Sequence, residues 1–345
     1  CEIAADASLD ENVNGILDTC EAAPASLVRV WGSTLVPASP QTSGYPLEVA
    51  VGDQFVAVLV EGGTVECFGS NTHGQTEVPS ALTDGSVTAT AVAAGGRHAV
   101  ALAADGTVHC WGFDADGRCA VPAGLPAAIA IAAGDAFTLA LHADGTVSGW
   151  GEIDTSGLTS VRAIAAHGGI AMSLHEDGSV RCLGSLTTVP ASVTDVTAIA
   201  AGGGHCMALD ATGRVRCWGS NSRGQCTVPT ASLSDGSNPV TGIAAGAEHS
   251  MAVLADGTLV TWGSNQHGQS TVPWGVGGDI AGGETPAGSV DGSGTFSAAV
   301  LLLDVDGDGV LNDEDWDPRD ASEWSDTDGD GIGDNTDPDI DGDGV

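Results

Sequence analysis

Oxygen-bearing side chains recur at a two-residue spacing near both ends of this chain. Asp10, Asn12, Asn14 and Asp18 fall at positions 1, 3, 5 and 9 of a twelve-residue loop, with Gly15 at its sharp turn, a backbone carbonyl from Ile16 at position 7 and Glu21 at position 12. Asp304, Asp306, Asp308, Val310, Asn312 and Asp315 fill the same six positions, and Asp326, Asp328, Asp330, Ile332, Asp334 and Asp337 fill them again. Asp339, Asp341 and Asp343 begin a third such loop. Calcium is a hard ion that takes six to eight oxygens at this spacing, with glycine at the bend and a carboxylate clamp at the end. Calcium binding is therefore the chemistry expected of residues 1–23 and 304–345. A merely solvating acidic tail needs neither the glycines nor the apolar residues that recur in register with the carboxylates.

The first loop resembles an EF-hand calcium loop. The later ones, joined by Asp-Pro steps at Asp317-Pro318 and Asp337-Pro338, resemble thrombospondin type 3 and dockerin-type repeats. Residues 304–345 hold 17 acidic side chains against one arginine, so without metal this strip repels itself, and calcium binding supplies its folding energy. Cys1-Glu2 echoes Cys20-Glu21, which reads Cys1 as the tail of another loop; a lipidated N-terminal cysteine is the alternative. Contiguous loops of this kind would join subunits head to tail, and heterologous contacts give open filaments.

The elements that must carry these loops lie in residues 24–303. His249–Gly263, HSMAVLADGTLVTWG, reads as a β-hairpin with apolar residues alternating on both arms and an Asp-Gly turn. Its second arm recurs at Trp31-Gly32, Phe68-Gly69, Trp111-Gly112, Trp150-Gly151, Leu183-Gly184, Trp218-Gly219 and Trp262-Gly263. The small-residue strand and first arm also recur, from VAVGDQFVAVL to IAAGAEHSMAV, with a degenerate last copy reaching Phe296–Leu303. A period of roughly 33–44 residues points to blades or solenoid coils. The segment enters on a second arm and leaves on a first arm, so its two ends complete one shared blade and close a ring without free edges. The expectation is an all-β, seven-bladed β-propeller with four strands per blade.

The repeat AAG-x-x-H-x-x-A-L-x-x-D-G-T-V-x-x-W-G-x-N-x-x-G-Q resembles the RCC1-type propeller repeat. That resemblance implies the fold and leaves function open. Its founder is a nucleotide-exchange factor on chromatin, and other members are bacterial secreted propellers that serve as protein-binding platforms.

A formal net charge of −37, from 9 Lys+Arg against 46 Asp+Glu, argues against nucleic acid or anionic membrane as partner. No apolar run reaches the roughly 18 residues of a membrane span. Cysteine usage points to an oxidising, extracellular compartment. Cys110 and Cys119 share their spacing and repeat phase with Cys217 and Cys226, which predicts two disulfides tying each second arm to its following loop, with buried free thiols as the alternative. Cys182 and Cys206 are a further candidate pair, and Cys20 is a candidate partner for Cys67.

No catalytic constellation is visible. His98, His205 and His249 occupy a repeat position that Phe55 and Phe137 fill elsewhere, so packing is expected there. Asp105, Asp144, Asp177 and Asp256 are hairpin-turn residues. The expected function is a non-enzymatic extracellular structural or adhesive protein, a propeller carried on calcium-stiffened linkers. The alternative is a secreted protein- or glycan-binding module, for which Tyr45 and Trp274 are the rim aromatics. An enzyme would need convergent acids or a metal in the central channel.

Overall fold

The computed structural model describes residues 28–32, 36–38, 40–233, 238–272, 287–292 and 296–301. Its strands form seven antiparallel sheets arranged as blades of a ring. Blades 1 to 3 take their inner, middle and outer strands from Pro46–Val51, Phe55–Val60 and Thr64–Gly69; Ala89–Ala94, His98–Ala103 and Val108–Gly112; and Ala128–Ala133, Phe137–His142 and Val147–Gly151. Blades 4 to 6 follow with Val161–His167, Ile170–His175 and Val180–Gly184; Val196–Ala201, His205–Asp210 and Val215–Gly219; and Val240–Ala245, His249–Leu254 and Leu259–Gly263. Blade 7 joins the two ends of the segment: Ser297–Leu301 pairs on one side with Ala287–Gly292 and on the other with Val28–Trp31. Each inner strand lies against the next, and that of blade 7 lies against that of blade 1, so the ring is closed.

Each blade has three strands among the described residues, not the expected four. In blades 1, 2, 5 and 6 the stretch after the outer strand folds instead into a turn whose own side chains satisfy its backbone, and the proline that follows it in sequence has no N–H for a ladder.

The middle strands of blades 1 to 6 are buried along their whole length because neighbouring blades cover both faces. This is why they read as runs of Ala, Val, Leu and Met. Every inner–middle pair slips by one residue near its start, a bulge that sharpens the local twist. The bulged residues Thr90, Thr197 and Thr241 donate their hydroxyls to the Leu102, Leu209 and Val253 carbonyls at 3.3, 3.1 and 3.3 Å, replacing the lost ladder bond. Leu47 and Ile129 hold the same position in blades 1 and 3 and stand 55% and 57% exposed.

Two glycines of the repeat have separate reasons. The one that closes each aromatic-Gly step adopts positive φ, 103° at Gly112, Gly219 and Gly263, where a side chain would strain the backbone. The one that ends the inner strands of blades 1, 2, 3 and 5, such as Gly95, lies beneath the ring that follows it. A Cβ on Gly95 would overlap the His98 ring and the Gly134 carbonyl of the next blade. Gly95→Ala should therefore cost about 2 kcal/mol or more in urea unfolding, as overpacking against backbone does. An unchanged midpoint would contradict this account of the motif.

Candidate functional site

One end of the ring carries the loops that follow the outer strands together with the turns between inner and middle strands. The loops share one internal scheme. Asn71, Asn221 and Asn265 accept at Oδ1 from the backbone N–H five residues on, at 3.2, 2.8 and 3.0 Å, and Asp114 does the same for Cys119 at 2.8 Å. Gln75, Gln225 and Gln269 accept at Oε1 from the N–H two residues back. Cys110 is bonded to Cys119 and Cys217 to Cys226, with Cα–Cα distances of 5.1 and 5.0 Å, which braces these loops in blades 2 and 5.

The loops are in turn tied to the next blade. The Gln225 carbonyl accepts from Trp262 Nε1 at 2.8 Å and from the Ser250 hydroxyl at 2.9 Å, both in blade 6. The Gln269 carbonyl accepts from Trp31 Nε1 at 2.9 Å and Ser297 at 3.1 Å in blade 7. Each such hydroxyl, having given its proton away, accepts one from a histidine of the preceding blade. His98 Nε2 reaches Thr138 at 2.9 Å, His205 reaches Ser250 at 2.9 Å and His249 reaches Ser297 at 2.7 Å. The chain of donors assigns the proton to Nε2 and leaves each Nδ1 a bare acceptor without a partner among the described residues. Burial disfavours the imidazolium, so the three histidines are held to about 3, 4 and 3 for His98, His205 and His249 and stay neutral.

Two acids face the central channel, a cavity of ≈ 250 Å³ lined otherwise mostly by Ala, Val and Ile. Glu48 accepts from the Val92 N–H at 3.0 Å, and Asp291 accepts from Val51 at 2.8 Å and from Gly292 at 2.8 Å. Each carboxylate thus caps the inner-strand edge of the following blade. Burial pushes Asp291 up to about 7, and the nearby Glu48 adds to that rise. An enzyme would need convergent acids in the channel, and these two are spent on backbone N–H groups. A signal for them existed: both interrupt inner strands where the other repeats hold small residues, mostly Ala.

At the loop-bearing mouth a second cavity of ≈ 370 Å³ is lined by Asp53, Asp135, His167, Glu248 and glycine backbone from blades 4 and 5. Asp53 and Asp135 carboxylate oxygens lie within 3.3 and 2.9 Å of the point where a Cβ on Gly96 would sit. Burial raises the Asp53 pKa, and Asp135 raises it further against the pull of Arg97. Turn-to-turn bonds hold the mouth rigid, Asp53 N–H to the Gly96 carbonyl at 3.1 Å and Asp135 N–H to the Gly168 carbonyl at 2.7 Å. The arrangement presents clustered carboxylates on a stiff frame, with Glu248 paired to Arg223 at 3.3 Å and Arg97 beside Asp53. It sets no nucleophile beside a base, and among the described residues no group of three His, Cys, Asp or Glu is poised to hold a metal.

The sequence-predicted calcium ligands of residues 10–21 and 304–343, and Trp274, lie outside the described residues. Tyr45 precedes the inner strand of blade 1, beside exposed Leu47 at the opposite mouth. No helix among the described residues is long and apolar enough to cross a membrane.

Residues 48–75, 89–118, 128–157, 196–225 and 240–269 match the model of the regulator of chromosome condensation (RCC1) repeat, which covers blades 1, 2, 3, 5 and 6. No curated protein matches the chain. Among solved structures, human WBSCR16 is 18% identical over 80% of this chain and 100% of its own, with a TM-score of 0.65. Saccharomyces cerevisiae Prp20p, studied for its binding to Gsp1p and histones, is 18% identical over 81% of this chain and 92% of its own, with a TM-score of 0.62. The ectodomain of the Arabidopsis thaliana receptor kinase ACR4 is 22% identical over 70% of this chain and 88% of its own, with a TM-score of 0.55.

The seam histidines make stability depend on pH. Their folded pKa lies below the unfolded 6.5, so their contribution is present above pH 6.5 and is lost as pH falls toward 3. Asp291 acts in the opposite sense: its raised pKa contributes stability at low pH that is lost as pH rises through about 7. Between pH 6.5 and 5 each histidine should cost about 2 kcal/mol. The double substitution His249→Phe with Ser297→Ala, which copies the Phe55–Ala99 seam, should remove about one third of the seam histidines' share of that acid loss in urea titrations.

Proposed function

We propose that this RCC1-type β-propeller is a non-enzymatic, secreted protein-binding module whose partner docks on the loop-bearing mouth. The observation that carries the reading is the rigid acidic pocket there, where Asp53 and Asp135 converge without being consumed by the seams. Loops mounted on a stiff scaffold are where binding residues concentrate. Charge of one sign focused in a concave mouth selects partners of the other sign and speeds their arrival. The partner therefore offers Lys or Arg on a protruding segment. Prp20p supports protein binding by this fold, and the ACR4 ectodomain supports its use outside a cell. The two loop disulfides also favour an oxidising compartment.

Asp53→Asn with Asp135→Asn should weaken binding of an arginine-rich peptide at least about tenfold in calorimetry at physiological salt, with unchanged thermal stability. Equal affinity in the double variant would remove the pocket from the binding face.

A second reading rests on the oxygen spacing in the flanks. Residues 1–23 and 304–345 bind calcium as stiffened connectors, and the protein serves as an extracellular structural or adhesive unit that self-associates head to tail. Asp306→Ala with Asp308→Ala should lower the calcium count by one per chain and leave the propeller's melting unchanged. A light-scattering mass that is monomeric both in calcium and in chelator would exclude the self-association.

A further inference from the structure

The seam between blades 4 and 5 is built differently from the polar ones. Blade 4 carries Ile170 where His98, His205 and His249 stand, and its outer strand ends in a shorter segment without the Asn-x-x-Gly-Gln loop. Trp218 of blade 5 has no loop carbonyl to bond among the described residues, and its indole interacts with the Cys182 sulfur instead. The position that holds Thr138, Ser250 and Ser297 in other blades holds Cys206. Cys182 stands on the outer strand of blade 4 where Cys110 and Cys217 stand on theirs, but blade 4 lacks the loop cysteine that those two bond. Its sulfur instead touches Cys206 across the seam, Sγ to Sγ at 3.8 Å, with both side chains buried.

We propose that Cys182 and Cys206 form a third disulfide, which staples blade 4 to blade 5 in place of the missing hydrogen-bonded chain. The two thiols are already in van der Waals contact, and bonding brings the sulfurs to the ~2.05 Å of a disulfide. The oxidant is a disulfide-bonded donor of the compartment that joins the other two pairs. One cysteine thiolate attacks the donor's S–S bond and forms a mixed disulfide. The second then displaces the donor sulfur, so the new Sγ–Sγ bond forms as the donor leaves with both electrons and takes up two protons as a dithiol. Because Cys206 is 0% exposed once the blades have docked, the exchange belongs to folding rather than to the finished ring.

The test uses the full chain secreted through an oxidising route, unfolded in guanidinium with iodoacetamide and no reductant, then digested for mass spectrometry. A cross-linked peptide pair containing Cys182 and Cys206 is expected. Alkylated Cys182 and Cys206 beside intact Cys110–Cys119 and Cys217–Cys226 bonds would overturn the proposal. Cys206→Ala keeps the ring foldable, since Ala99 and Ala171 hold this position in blades 2 and 4. It should lower the Tm by roughly 5–10 °C against the oxidised parent, and the gap should vanish when both are reduced. A gap of equal size in the presence and absence of reductant would assign the cysteine to packing alone.

Discussion

A ring closes only if every blade fits the next, and here that fit is settled by a pair of residues at each seam. A histidine beneath a buried seam must find an acceptor or leave its N–H unpaired at a cost of about 1–3 kcal/mol. His98, His205 and His249 each meet a hydroxyl in the following blade. Where the first member is Phe55, Phe137, Ile170 or Phe296, the second is Ala99, Ala171, Cys206 or Val56, and the seam is apolar. Polar meets polar and apolar meets apolar at all seven. A histidine set against an alanine, or a serine against a phenylalanine, would leave a buried group without a partner.

The same bonds that hold the seams also place the loop-bearing mouth. Ser250 and Ser297 accept from a histidine and donate to a loop carbonyl, so each hydroxyl joins the core of one blade to the surface loop above it. In blade 2 the corresponding loop carries Arg118 in place of glutamine. Its guanidinium pairs with Asp116, lies 4.9 Å over the Phe113 ring and donates to the Asp135 carbonyl in the next turn. The mouth is thus anchored from below by the core and from the side by its neighbours.

Acids divide between the two tasks by what they can reach. Glu48 and Asp291 lie beside the closing blade, where inner-strand N–H groups face the channel, and they are absorbed by the frame. Asp53 and Asp135 sit in the turns at the mouth among glycine backbone, with Arg97 close enough to Asp53 to offset part of its charge, and neither carboxylate is used to cap a neighbouring strand. The strand-capping carboxylates and the mouth carboxylates are thus different residues lining different cavities.

Period-two alternation, Asp-Gly turns and the phase of the half-repeats are local properties, and they sufficed to read seven blades closed by the two ends of the segment. Local spacing also marked the loop cysteines, since nine residues separate each bonded pair. Seam chemistry was not legible in this way, because its partners stand 40 to 48 residues apart and meet only through the rotation of one blade to the next. The channel acids were further from view: Asp291 bonds Val51 across 240 residues, a contact that exists only because the ring closes. Three strands in place of four had a similar origin, since a short polar loop with its own hydrogen bonds and the same segment paired as an edge strand differ by little in sequence. Alternation of side chains is dictated along the chain, whereas the identity of the neighbour across a seam is dictated by curvature, and curvature is a property of the whole ring.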